Sequence, residues 1–177
     1  IVFGFTPVRD MKILILTLAT MFLLAFSLNA AEISNFKSGL ICYDGKDFTG
    51  VCHATEDIYI TGQSMCVFNG EFKPCTWYGF SFDYKNAKPG TEISCKFTSS
   101  QNIIDGNPQE ILSKSTKNAE YKIKLEKESG HFFNPQYFLF SGYVKKSSDS
   151  VVETSSVCSI GGKQVFSYKI KAHFPVE

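Results

Sequence analysis

Apolar and polar side chains alternate with a period of two through most of the chain after residue 32, and that pattern constrains the fold more than any other feature. Tyr78, Phe80, Phe82 and Tyr84 fall on one side of a segment, with Trp77, Gly79, Ser81 and Asp83 on the other. Ile93, Cys95 and Phe97 alternate with Ser94 and Lys96, and Tyr121, Ile123 and Leu125 with Lys122, Lys124 and Glu126. Phe166, Tyr168, Ile170, Ala172 and Phe174 alternate with Ser167, Lys169, Lys171 and His173. A strand sends successive side chains to opposite faces, so this spacing with one polar face denotes half-buried antiparallel strands. Tyr137–Val144 is apolar on both sides, which suits a central strand covered on both faces. Helical spacing is nearly absent. The chain reads as all-β.

Turn residues cluster at Asn86–Gly90, Ser129-Gly130, Ser147–Ser150 and Gly161-Gly162. Gly161-Gly162 should join strands over Val151–Ile160 and Lys163–Phe174, and Ser147–Ser150 should join Tyr137–Lys146 to the same middle strand, making a three-stranded meander. The one helix signal is Asn107-Pro108-Gln109-Glu110, with Asn as N-cap, Pro at N1 and Glu at N3, good for one or two turns near 108–114. From Pro89 onward the spacing of Cys95 and Cys158 in alternating strands resembles an immunoglobulin-type sandwich, although no tryptophan follows Cys95 and Ser156 stands where such domains carry tyrosine. The expected fold is an antiparallel, disulfide-stabilised β-sandwich, immunoglobulin-like in architecture. Residues 88–177 form the sandwich proper, and 32–87 either add strands or make a small disulfide-rich lobe.

The N-terminal part reads as an address. Met11-Lys12 precedes fourteen uncharged residues, Ile13–Phe26, and then Ser27-Leu28-Asn29-Ala30-Ala31, the order of a secretory signal peptide. The apolar run is shorter than the roughly 20 residues of a membrane span. Cleavage is expected after Ala30 or Ala31, and residues 1–10 read as lying ahead of the true initiator Met11. Residues 32–177 then carry sixteen Lys against sixteen Asp and Glu, with no Arg. Zero net charge and the missing guanidinium fork argue against nucleic acid or phosphoprotein partners.

All six cysteines lie beyond that leader, and an even count in an exported chain implies disulfides. Spacing suggests Cys42–Cys52 around a turn-rich loop, Cys66–Cys75 around Asn69-Gly70, and Cys95–Cys158 by elimination. Asn69-Gly70 poses a conflict. A strict two-residue turn would place Cys66 opposite Lys73, leaving Cys75 on the diagonal at roughly 7–8 Å, beyond the usual disulfide reach. Either the loop runs from Asn69 to Phe72 or the pairing differs. The chain has no Cys-x-x-Cys, and Cys52-His53 is its one Cys–His neighbour, so the cysteines read as bridges and not as metal ligands.

No catalytic constellation emerges, and the chain is read as non-enzymatic with no cofactor. Gly62-Gln63-Ser64 begins like a nucleophile elbow but lacks the second glycine and the strand-to-helix turn. Asp44/Asp47 share a short turn, with Lys46 where a calcium loop would want an oxygen ligand, and Glu56/Asp57 point to opposite sides if extended. His53, His131 and His173 share no motif, and Gly39, Gly45 and Gly50 form no phosphate cradle. The aromatics are the unusual feature. Trp77 and Tyr78, and the pair Phe132-Phe133, crowd rings into short spans beyond what one core face needs, and rings left outside a core mark binding surfaces. The expected activity is binding of another macromolecule, a protein or a carbohydrate, by an exported protein of the periplasm or extracellular space. The rivals are a carbohydrate module or hydrolase centred on Trp77, and a purely structural envelope protein.

Overall fold

The computed structural model describes residues 31–103, 105–106, 116–140 and 151–175. Eleven strands account for most of them, and none of the described residues is α-helical. In chain order they are β1 (Glu32–Tyr43), β2 (Phe48–Ala54), β3 (Asp57–Tyr59), β4 (Ser64–Phe68), β5 (Glu71–Lys85), β6 (Thr91–Ile103), β7 (Asp105–Gly106), β8 (Thr116–Leu125), β9 (Gly130–Leu139), β10 (Val151–Ile160) and β11 (Lys163–His173). They form two sheets. One runs β2-β1-β5-β9-β7, with β4 also on β5; the other runs β3-β11-β10-β6-β8. Only β3 and β11 pair in parallel; the other pairs are antiparallel. Residues 32–87 thus supply strands to both sheets, and Ala31–Glu177 clusters as one unit.

The alternating positions meet between the sheets. Tyr78, Phe80, Phe82 and Tyr84 from β5 and Phe138 from β9 are buried against Ile93, Phe97, Ile123, Leu125, Val152, Phe166, Ile170 and Ala172. Phe80 and Phe82 lie 5.7 and 5.2 Å from the Phe166 ring, in the tilted contacts that aromatic quadrupoles favour. Tyr168 brings a hydroxyl into this layer and donates it to Gln136 Oε1 at 3.1 Å, so the buried oxygen is not left unsatisfied. This is a disulfide-stabilised, all-β sandwich.

All three bridges close as spacing suggested, but two sit differently from expectation. Asn69 and Gly70, with φ of 51° and 79°, do form a strict two-residue turn, and Phe68 pairs with Glu71 and Cys66 with Lys73. Cys66 and Cys75 are nevertheless bridged from the diagonal, their Cα atoms 5.8 Å apart. Both alternatives drawn from the sequence were therefore wrong. Between its turn and Cys75 the hairpin is a two-stranded ribbon, since β9 pairs with β5 only from Cys75 onward, and ribbons twist more than wide sheets, which shortens one diagonal. Cys95 and Cys158 lie directly opposite each other on β6 and β10, Cα atoms 4.1 Å apart. The bridge therefore stays within one sheet, where an immunoglobulin-type pair would cross between two.

The three-stranded meander is also corrected. β10 and β11 form the expected hairpin, closed by Gly161-Gly162, but the other neighbour of β10 is β6. β9 instead pairs with β5 in the opposite sheet. A polar cluster marks a break in the chain without telling a tight hairpin from a crossover between sheets. The helix signal at 107–110, the Ser147–Ser150 turn and the leader before Ala31 lie outside the described residues.

Candidate binding surface

β5 divides the aromatic cluster that drew attention in the sequence. Tyr78 points inward, is 1% exposed and stacks on Phe138 with ring centroids 4.3 Å apart; it is a core residue. Trp77, one position away, points to the opposite face of the sheet and is half-buried. Phe132 and Phe133 separate in the same way, because both lie in β9 and not in a turn. Phe132 stacks on Phe82 at 5.1 Å, whereas Phe133, paired with Ser81, shares the outer face with Trp77.

On that outer face the rings form a row across the sheet. Tyr43 meets Phe48 edge-on at 5.7 Å, Phe48 lies 4.7 Å from Trp77, and Trp77 meets Tyr137 edge-on at 5.3 Å. Exposure rises along the row. Tyr137 is 1% exposed and donates its hydroxyl to the Val67 carbonyl at 3.2 Å. At the other end Tyr43 is 61% exposed. Phe68, Cys66, Cys75 and Leu139 pack with Trp77 and Tyr137 into a small second cluster, separate from the main core.

Two disulfides brace the row. Cys42–Cys52 ties β1 to β2, the ribbon that carries Tyr43 and Phe48, and Cys66–Cys75 lies in the cluster beside Trp77. The ribbon's loop is further fixed by Asp44, whose carboxylate accepts the Lys46 and Asp47 amides at 2.9 Å each. Those two backbone bonds, Asp47's first, hold the Asp44 carboxyl below its ordinary value. Rings carried on clamped ribbons lose little conformational freedom on binding, which is the physical basis of a pre-formed recognition surface. Sequence reading missed Tyr43 and Phe48; the signal was there, since each flanks the turn inside the Cys42–Cys52 loop.

The remaining polar candidates are placed apart from this row. His131 Nδ1 pairs with Asp83 Oδ1 at 2.7 Å, while Asn35 Nδ2 donates to the other Asp83 oxygen at 2.7 Å. The Asn35 bond first, then His131, holds Asp83 below the usual aspartate range. His173 Nε2 pairs with Asp57 Oδ1 at 2.7 Å, and the Tyr59 ring stacks on the imidazole at 4.5 Å. His53 is exposed on β2, and Ser64 lies in β4 opposite Cys75. Among the described residues no three His, Cys, Asp or Glu converge as a metal site. On the outer face of the other sheet an open groove of about 610 Å³ is lined by Glu56, Thr98, Ser100, Glu153, Lys169 and Lys171 among others, with no aromatic ring.

Three closed bridges point to an oxidising, exported environment. Among the described residues no helix is long and apolar enough to cross a membrane. No protein-family model matches the chain, and no curated protein is detectably similar to it.

Proposed function

We propose that this is an exported, non-enzymatic protein of the periplasm or extracellular space that binds another macromolecule, most simply a protein, through the Trp77 face of the sandwich. An inhibitory, immunity or envelope-assembly role fits that reading. The observation that carries it is the ring row Tyr43–Phe48–Trp77–Tyr137. It occupies the side of the sheet turned from the core, on strands stiffened by two disulfides. Interfaces concentrate their energy in a few aromatic anchors surrounded by apolar contacts. The immediate neighbours of Trp77 are the rings of Phe48 and Tyr137, Phe68 and the Cys66–Cys75 bridge. A sugar site would instead surround its stacking ring with convergent hydroxyl, amide and carboxylate groups, so the carbohydrate reading draws less support. The test compares the full chain with its Trp77→Ala variant as baits in an extract of the producing cell's envelope and medium. The reading requires a macromolecule held by the first and lost from the second while the variant stays folded.

A further inference from the structure

The groove on the outer face of the second sheet opens where two strands part. β10 pairs with β6 from Ser159 to Thr154 and no further. At the next residue the Glu153 amide is donated to Ser100 Oγ at 3.1 Å in place of a ladder carbonyl, and the register of β6 with β8 shifts between Thr98 and Ile103. Irregularities of this kind end pairing and re-aim side chains beside binding sites. The opening of about 610 Å³ lies within the range of about 300–1,000 Å³ that small ligands fill. Its charged groups are left open. Lys171 stands directly opposite Glu153, yet among the described residues neither makes an ion pair, and nor do Lys169 and Glu56. Lys96 and Glu120, opposed in the same way on this sheet, do close, at 3.8 Å. The Thr98 and Ser155 hydroxyl oxygens lie 2.8 Å apart and share one hydrogen, so the other is free for a ligand, as is the Ser100 hydroxyl proton.

An exposed ring stands at the Glu56 end. The Lys171 amide is donated to the Glu56 carbonyl at 2.6 Å, and β3 then pairs Asp57 with Lys171 and Tyr59 with His173. Ile58 is fully buried, so Asp57 and Tyr59 point to the outer face, the face that carries the groove. Tyr59 therefore lies two residues, about 7 Å, along the sheet from the row of Lys171 and Glu153. Its ring is 66% exposed and is held from behind. One face stacks on the His173 imidazole, whose Nε2 is fixed by Asp57. The other face is left to solvent. A ring positioned this way loses little freedom when a ligand covers it.

We propose that this groove is a second binding site, for a neutral oligosaccharide, with one sugar ring on Tyr59 and the following units along Lys171, Glu153, Lys169 and Ser155. A sugar hydroxyl donates one hydrogen bond and accepts others, so a single ligand satisfies the carboxylates, which only accept, and the ammonium groups, which only donate. The C–H face of a sugar ring covers an aromatic ring. Two lysines and two glutamates leave the groove without net charge, so a sulfated or phosphorylated ligand gains no field to draw it in. Hydroxyl and carboxylate groups converging beside a stacking ring are what the Trp77 face lacks. The two sites lie on opposite outer faces of the sandwich, and this one is independent of what Trp77 binds.

Heteronuclear NMR of the isotope-labelled full chain tests it, by titration to about 10 mM with maltotetraose, cellotetraose, mannotetraose and the tetramer of N-acetylglucosamine, and with a heparin tetrasaccharide as anionic probe. At least one neutral probe should move the amides of Ser100, Glu153, Ser155 and Lys171 saturably, with Kd of about 0.1–1 mM, as an open groove implies. Tyr59→Ala and Lys169→Ala should each weaken binding at least about tenfold. Tyr59→Phe, which keeps the ring, and Met65→Lys on the other sheet should retain it. The replaced side chains are exposed, so folding should survive; melting curves check this, and if Tyr59→Ala fails to fold, Lys169→Ala decides. The proposal is overturned by the absence of a saturable shift with every neutral probe, by binding of heparin alone, or by shifts confined to the Trp77 indole. Undiminished binding in a folded Tyr59→Ala or Lys169→Ala chain overturns it as well.

Discussion

Trp77 meets Tyr137 edge-to-face, ring centroids 5.3 Å apart, on the side of the sheet turned away from the sandwich core. The contact gives Trp77 a part in folding, yet leaves its ring half-buried and not enclosed. Trp77→Ala should therefore cost about 1–2 kcal/mol, short of the roughly 3–5 expected of a fully buried ring and above the half kcal/mol of a free surface site. Urea denaturation at fixed pH measures it. Because Trp77 is the one tryptophan in the chain, its emission reports this site alone, and acrylamide should quench it partly in the native protein.

The disulfides should rank by loop length and burial. Cys95–Cys158 closes 63 residues and is buried at both ends, whereas Cys42–Cys52 closes 10 and is exposed. In the loop-entropy account the first contributes about 4 kcal/mol and the second about 3. Replacing both cysteines of the longer loop with Ala should lower Tm more than the same change at 42 and 52. Peptide mapping without reductant should find all six thiols engaged in these three pairs.

Gly79 is needed where it stands. It is buried in β5, between Gly39 on β1 and Pro135 on β9. A Cβ there would collide with the Asn134 carbonyl and press on Ile41 at 3.3 Å. Gly79→Ala should cost about 1–3 kcal/mol, against the modest gain alanine brings to an unhindered strand, and a thermal melt reads the difference.

Acid should weaken the fold in a defined window. Glu32, Asp44, Glu71, Asp83 and Glu92 all titrate below their ordinary values, chiefly through hydrogen bonds to Lys85, the Asp47 amide, Lys73, Asn35 and Lys122 respectively. A carboxyl depressed in the folded state stabilises above its unfolded pKa and loses that contribution as pH falls through the folded one. Tm should thus hold from neutrality to about pH 5 and decline below about pH 4. The Lys122 ammonium, raised by Glu92, keeps its small contribution until strongly alkaline pH. Asp83→Asn should shallow the acid decline, and an unchanged slope would show that the Asn35–Asp83–His131 contacts are without weight.

Much of the sandwich was legible because its cause is local. The alternation of β5, β6, β8 and β11 names the buried face residue by residue, and Tyr78, Phe97, Ile123 and Ile170 all lie there. Pairing was not legible. That β9 joins β5 and not β10 depends on contacts across half the chain, and the polar cluster at Ser147–Ser150 fits either route. The Cys66–Cys75 diagonal failed for a similar reason, since ribbon twist is a property of the assembled hairpin. The surface was half visible. Period two separates Trp77 from Tyr78 and Phe133 from Phe132 once strand is assigned, but Tyr43 and Phe48 join the row only because β1 and β2 fold beside β5.

The direct test of the Trp77 surface is quantitative capture. Full-length protein and the folded variants Trp77→Ala and Val157→Lys are immobilised at equal density and offered the same envelope and medium extract, and retained macromolecules are measured by mass spectrometry. The account predicts at least one species enriched on wild type and on Val157→Lys but reduced roughly thirtyfold on Trp77→Ala, the loss that removing a 2 kcal/mol aromatic anchor implies. Identical retention on all three surfaces would contradict it.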